Sequence, residues 1–77
     1  MNENKLNCLE VGQNARICNL LTNDSMRRRL QDIGFIEGAN VECVRKGPSG
    51  DPIAYLIKGA VIALRNEDSL KILVALT

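Results

Sequence analysis

The side chains in this chain that could do chemistry are few, and their spacing excludes most of it. Three cysteines, Cys8, Cys18 and Cys43, stand ten and twenty-five residues apart, with no C-x-x-C and no histidine anywhere. A metal would need scattered Asp, Glu and Cys to converge without an imidazole to help, so neither a metal site nor a cofactor is expected. An odd number of thiols without a secretory leader fits a reducing compartment, in which each cysteine serves as a small buried hydrophobe. Acid–base and nucleophilic catalysis find no better footing. There is no G-x-S-x-G, no histidine base, and no carboxylate pair spaced to share one face of an expected element. The glycines of Gly47-Pro48-Ser49-Gly50 lack the G-x-x-x-x-G-K-[ST] spacing and lead into no helix, so they read as a turn rather than a phosphate cradle. No catalytic residue and no enzyme activity are expected.

Two groups of side chains remain that could bind something. Arg27-Arg28-Arg29 would occupy the first turn of a helix, where positive charge opposes the macrodipole, and Asp32 sits near the unfavourable far end. Arg28 and Asp32 have the weaker orientation of an i,i+4 pair, base before acid. Local helix energetics therefore do not account for the arginines. They form either a solvated face loosely paired to Asp32, Glu37, Glu42 or Asp51, or a docking patch for an acidic partner surface. Phosphate binding is the weaker option, because aromatic residues to stack bases are nearly absent. The second group is Leu56 and Val61, flanked by Ala54 and Ala63, on what should be the outward face of a hairpin. Polar residues are the norm there. Either another element covers this face or it is a patch for a partner.

That hairpin is the best-specified element in the chain. With Lys58-Gly59 as a two-residue loop, Ile57 faces Ala60, Tyr55 faces Ile62 and Ile53 faces Leu64, all apolar on one side. A loop one residue longer would scramble both faces. A preceding strand, Val41–Lys46, alternates apolar and polar with Val44 as the exception, and Gly47–Gly50 suits a type I turn. Pro52 holds Asp51 extended, and Asp51 is placed to bond forward onto nearby backbone as in an Asx-turn.

Earlier in the chain, residues 1–5 are polar and expected to be loose, while Leu6, Leu9 and Val11 anchor the next stretch. A strand over Ala15–Leu21 follows. Thr22-Asn23-Asp24-Ser25 supplies helix N-cap residues, and Met26, Leu30 and Ile33 predict one apolar stripe. Gly34 fits the left-handed position after the helix, with Phe35 closing over Leu30 as in a Schellman cap. Asn66–Ser69 predicts a single helical turn, and Ile72–Leu76 a strand buried on both sides. Residues 6–77 thus read as a single domain, mainly β, a small partly open barrel of about five strands with one short α-helix. With 45% hydrophobic residues but one Phe, one Tyr and no Trp, its core must be aliphatic. The net charge of +1 gives no global field toward nucleic acid or anionic lipid, although Ser25–Arg65 holds seven basic and four acidic residues. No apolar run approaches the roughly 18 residues of a membrane span, so a soluble cytosolic protein is expected.

The ordered set Arg27-Arg28-Arg29-Leu30-Gln31-Asp32-Ile33-Gly34-Phe35-Ile36-Glu37-Gly38, Val41-Glu42-Cys43-Val44 and Gly50-Asp51-Pro52-Ile53 resembles the FeoA family of ferrous-iron-transport accessory proteins. Gly59, Ile62, Leu64-Arg65 and the closing apolar strand continue the likeness. Leu6-Asn7-Cys8-Leu9 with Gly12-Gln13 resembles the family's opening segment. The resemblance implies an SH3-like barrel in the cytoplasm, without enzyme activity or an assigned metal site. It implies a protein that works by contact with the transporter FeoB, recruited to the inner face of the membrane without inserting in it. The same module occurs at the C-terminus of DtxR-type metalloregulators, so fold alone does not decide function. Val11 stands where the family often has Pro, and Leu56 and Val61 where it often has polar or basic residues. Two functional classes follow. In one, Arg27, Arg28, Arg29, Leu56 and Val61 meet the transporter, and no nucleic acid is bound. In the other, the chain is a nucleic-acid-binding or metalloregulator-type barrel using its arginines; a third reading, an iron-binding chaperone, would require tight Fe(II) binding by the isolated protein.

Overall fold

A computed structural model describes residues 3–77. In chain order its elements are strand β1 (Glu3–Lys5), a 3-10 turn (Leu6–Cys8), β2 (Asn14–Leu20), helix α1 (Asp24–Ile33), β3 (Asn40–Lys46), β4 (Ile53–Ile57), β5 (Ala60–Leu64), the short helix α2 (Asn66–Ser69) and β6 (Ile72–Leu76). The strands form one antiparallel sheet in the order β1-β6-β2-β3-β4-β5. This is the mainly β, SH3-like small barrel expected, left open between β1 and β5.

The β4–β5 hairpin has the register its alternation dictates. Ile53 pairs with Leu64, Tyr55 with Ile62 and Ile57 with Ala60, while Ala54–Ala63 and Leu56–Val61 share the other face. Lys58 and Gly59 have φ of 51° and 81°, the two positive values a type I′ turn requires, and that turn matches the twist of the strands it joins. The Gly47–Gly50 turn closes with the Gly50 N–H donating to the Gly47 carbonyl at 2.9 Å.

Helix α1 is bounded by the chemistry its ends announce. The Asn23 side-chain oxygen accepts from the Met26 N–H at 2.8 Å. At the far end Gly34 takes a φ of 132°, the Phe35 N–H donates to the Leu30 carbonyl at 2.9 Å, and the Gly34 N–H to that of Gln31 at 3.1 Å. Phe35 and Leu30 are both buried in the core, as the Schellman pattern demands. Burying each contributes about 1.5–3 kcal/mol.

Five expectations need correction. Glu3–Lys5 forms a strand: it pairs with β6, Glu3 against Ala75 and Lys5 against Leu73, and the sheet has six strands among the described residues. Three polar residues carry no apolar alternation, so only their backbone pairing reveals them; residues 1 and 2 of that expectation lie outside the described residues. Val11 is exposed in the turn before β2, leaving Leu6 and Leu9 as the anchors. Ile33 is 39% exposed, because the chain leaves the helix there and only Met26 and Leu30 reach the core. Strand β6 buries Ile72 and Val74, but Leu73 and Ala75 are half-buried and Leu76 is 46% exposed, since among the described residues no second layer covers that face of the sheet. Asp51 does not bond locally. Its carboxylate accepts the Asn66 N–H at 2.9 Å, supplying the start of α2 with the cap its own Arg65 lacks.

The Gly34 cap can be tested directly. A Cβ there would stand 2.7 Å from the Lys58 Cγ, and the φ of 132° is strained for any L side chain. Gly34→Ala should therefore lower stability by about 1–3 kcal/mol in denaturant unfolding, and an unchanged midpoint would show that the cap imposes no such constraint.

Candidate functional site

The outer face of the sheet divides by composition. Its row across four strands runs Asn14, Glu42, Leu56, Val61, and a second runs Arg45, Ala54, Ala63. Polar side chains sit over β2 and β3, and apolar ones over β4 and β5. Val61 is 62% exposed, Ala63 is exposed, and Leu56 and Ala54 are half-buried. The apolar face is thus open to solvent. Ala54 and Ala63 floor a shallow groove whose walls are Arg45, Lys46, Gly47, Pro48 and Pro52.

Arg45 reaches this face through a β-bulge. Strict alternation from Val41 and Cys43 would turn Arg45 inward, toward a core that cannot hold a guanidinium. The register instead shifts between Cys43 and Arg45, so Val44 is the extra residue and Arg45 lies opposite Ala54. The broken alternation at Val44 was the only trace of this in the sequence. A second bulge, between Ile17 and Asn19, takes up Cys18 and returns Leu20 to the core.

The arginine triplet is divided by the structure. Arg27 donates to the Leu20 carbonyl at 3.1 Å and lines a small pocket with Ile17, Cys18, Gln31, Phe35 and Glu37. Arg28 and Arg29 are exposed beside Asp24, Ser25 and Asp32. Among the described residues the one ion pair is Arg65 with Glu67 at 3.9 Å, so Arg28 makes none with Asp32, and neither Arg28 nor Arg29 pairs with Glu37, Glu42 or Asp51. The arginine groove and the β4–β5 groove share no residue. Of the five site residues proposed from sequence, Arg28 and Arg29 thus line one groove, Arg27 a separate small pocket, and Leu56 and Val61 lie on the outer face of β4 and β5. Ile33 and Ile36 add a further exposed apolar spot on either side of Gly34.

The three thiols are spread over separate elements, Cys8 in the 3-10 turn, Cys18 in β2 and Cys43 in β3. Cys43 is buried, Cys18 half-buried and Cys8 exposed, so the buried-hydrophobe expectation holds for Cys43 alone. Burial pushes the Cys18 and Cys43 thiols up, helped at Cys18 by Glu3 and Glu37, and a raised thiol is a poor nucleophile and metal ligand. Among the described residues no three His, Cys, Asp or Glu side chains come together to hold a metal ion, and no helix is long and apolar enough to cross a membrane.

Comparison with known proteins gives a consistent picture. The family model described as FeoA domain matches residues 4–76. The Fe(2+) transport protein A/Fe(2+) transporter FeoB fusion protein of Porphyromonas gingivalis is 33% identical over 72 residues, covering 94% of this chain and 8% of that much longer protein. The solution structure of the FeoA protein from Chlorobium tepidum superimposes with a TM-score of 0.89 at 32% identity, covering 94% of this chain and 69% of the other. IdeR from T. acidophilum superimposes with a TM-score of 0.86 at 19% identity, over all of this chain and 35% of the other. At that identity the likeness is one of fold, and it agrees with the second occurrence of the barrel that the sequence implied.

One buried group gives the fold a pH signature. Tyr55 is fully buried and its hydroxyl has no hydrogen-bond partner among the described residues, while the neighbouring Ser69 hydroxyl donates to the Arg65 carbonyl at 3.2 Å. Burial pushes the phenol from 10.0 up to about 12, against the opposing pull of Ser69. Because the folded value is raised, stability is undiminished below the unfolded value and falls as pH rises from about 10 toward 12. Tyr55→Phe should reduce the loss between about pH 10 and 12 in equilibrium unfolding curves, leaving the part due to the raised thiols; an undiminished loss in the variant would place its origin elsewhere.

Proposed function

We propose, from the premise that this chain belongs to the FeoA domain family, that it acts in ferrous iron uptake by docking on the cytoplasmic part of a FeoB-type transporter. The observation that carries this reading is the uncovered apolar face of the β4–β5 hairpin, with Val61 62% exposed at its centre. The P. gingivalis relative, in which both proteins are named as one fusion, supports a working association between the two kinds of domain. On this reading the chain is an accessory protein rather than an enzyme, needs no cofactor, and works in the cytoplasm at the inner face of the membrane.

The two surfaces have different tasks. Burying Val61 contributes on the order of 1 kcal/mol, and Leu56 adds to it when the outer face of the hairpin is covered. Contacts desolvated at the centre of an interface chiefly set how long a complex lasts. Arg28 and Arg29 are exposed charges, screened within about 8 Å in physiological salt, so they chiefly set the rate of encounter. Arg27, committed to the Leu20 carbonyl, has the smaller share.

Binding kinetics against the cytoplasmic part of a FeoB-type transporter test the division. Charge reversal at Arg28 and Arg29 should slow association and flatten its salt dependence while leaving dissociation nearly unchanged. Leu56→Asp should shorten the lifetime of the complex in a protein that still melts cooperatively. Unaltered binding by both folded variants would refute the assignment of these surfaces. A nucleic-acid complex of higher affinity whose log K falls steeply with log salt would instead favour the phosphate-binding class.

A further inference from the structure

Among the described residues strand β5 ends the sheet and pairs only with β4. The two-residue turn makes Ile57 and Ala60 the first hydrogen-bonded pair, so the alternation turns the backbone groups of Ala60, Ile62 and Leu64 toward β4. Those of Val61 and Ala63 point the other way, off the edge of the sheet. Among the described residues no backbone or side-chain group is hydrogen-bonded to them. Ala60, Val61 and Ala63 are exposed and Ile62 is half-buried.

Sheet edges are ordinarily protected by charge, proline or a bulge. The opposite edge follows that rule, with Glu3 and Lys5 on β1. Strand β5 has none of the three: its sequence is Ala-Val-Ile-Ala-Leu and its register with β4 is unbroken. Its chemistry asks for another extended strand that offers backbone groups in the matching alternation.

We propose that β5 is the pairing edge for a second copy of this chain, joined antiparallel about a two-fold axis through Ile62. The register is self-complementary. With Ile62 opposite its counterpart, Val61 lies opposite Ala63 of the second copy, and Ala63 opposite its Val61. These are the residues whose N–H and C=O groups point outward, so each such pair exchanges both backbone bonds. Large side chains fall opposite small ones, Val61 against Ala63 and Leu64 against Ala60. Ile62 meets its counterpart at a position without backbone bonds, where opposed side chains come closest. Charge agrees with the same register. Lys58 at the hairpin tip lies opposite Asn66 of the second copy, at the start of α2, whose first turn carries Glu67 and Asp68. Arg65 already pairs with Glu67 at 3.9 Å, which leaves Asp68 to meet the incoming Lys58.

The pairing has a consequence for the surface beside it. The apolar outer faces of two hairpins become continuous, Ala54, Leu56, Val61 and Ala63 of one copy leading into the same residues of the other. A strand pair of five residues buries less than the roughly 1,000 Å² of a stable interface, so the dimer is weak and forms with rising concentration. It does not depend on the transporter reading, because it concerns the isolated protein.

The test joins sedimentation velocity to amide exchange, both followed from low-micromolar to millimolar protein. Mass should rise from monomer toward dimer, and the Val61 and Ala63 amides should exchange at least about tenfold more slowly at the upper end. Those of Ala60 and Ile62 are protected throughout by β4. Ala63→Pro removes an outward amide without breaking the ladder to β4, and Val61→Lys puts a charge on the edge. Each should raise the dissociation constant at least about tenfold, and Val61→Lys carries the test if the proline variant does not fold. A protein that stays monomeric at millimolar concentration overturns the proposal. So does a dimer whose Val61 and Ala63 amides remain unprotected, or one that neither folded variant weakens.

Discussion

The two-residue turn at Lys58-Gly59 is the constraint on which most of this structure depends. Because side chains alternate along a strand, that turn decides at one point which residues of β4 and β5 enter the core and which leave it. Ile53, Tyr55 and Ile57 go inward and are among the most fully buried side chains. The same choice sends Leu56 and Val61 outward. A slip of one residue would bury the face proposed to bind and expose the one that holds the barrel together. Helix α1 ends against this turn, where the stem of Lys58 lies over Gly34 in a space that a Cβ would fill. The glycine after the helix and the hairpin tip therefore hold each other in place.

How much of this could be read from residue order follows from the kind of signal each part leaves. The hairpin register was legible because both faces obey one parity and the turn residues match the turn type. The ends of α1 were legible for a similar reason: Asn23 and Gly34 each perform a function that few other residues can. Bulges leave a weaker trace. Val44 interrupts an otherwise clean alternation, and only the paired register shows that the interruption turns Arg45 onto the outer face. Strand β1 leaves no trace in side-chain pattern, since Glu3, Asn4 and Lys5 join the sheet through their backbone. Ile33 misled because helical periodicity continues to the last turn while the contact surface beneath it does not.

The candidate site was partly legible. An apolar pair on an outward face is anomalous by composition alone, and Leu56 and Val61 stood out on that ground. What composition could not decide was whether anything covered them; the sheet has no second layer on that side. The arginine triplet reads as one feature but is two, because Arg27 turns back to the Leu20 carbonyl while Arg28 and Arg29 remain in solvent. The groove walls, Arg45, Lys46, Pro48 and Pro52, depend on a bulge and on a loop; each left a local trace, but residue order does not show that the two come together around Ala54 and Ala63. The open apolar face of β4 and β5 is the kind of surface on which a partner docks.

The central claim is that the β4–β5 face is where a FeoB-type transporter is met. Amide chemical shifts of the labelled protein, followed as the unlabelled cytoplasmic part of that transporter is added, examine it residue by residue. The account predicts that Ala54, Leu56, Val61 and Ala63 shift or broaden first, that Arg28 and Arg29 respond more weakly and lose their response in high salt, and that Glu3–Lys5 stays unchanged. A response confined to Ile33, Ile36 and the end of α1, or to β1, would contradict it.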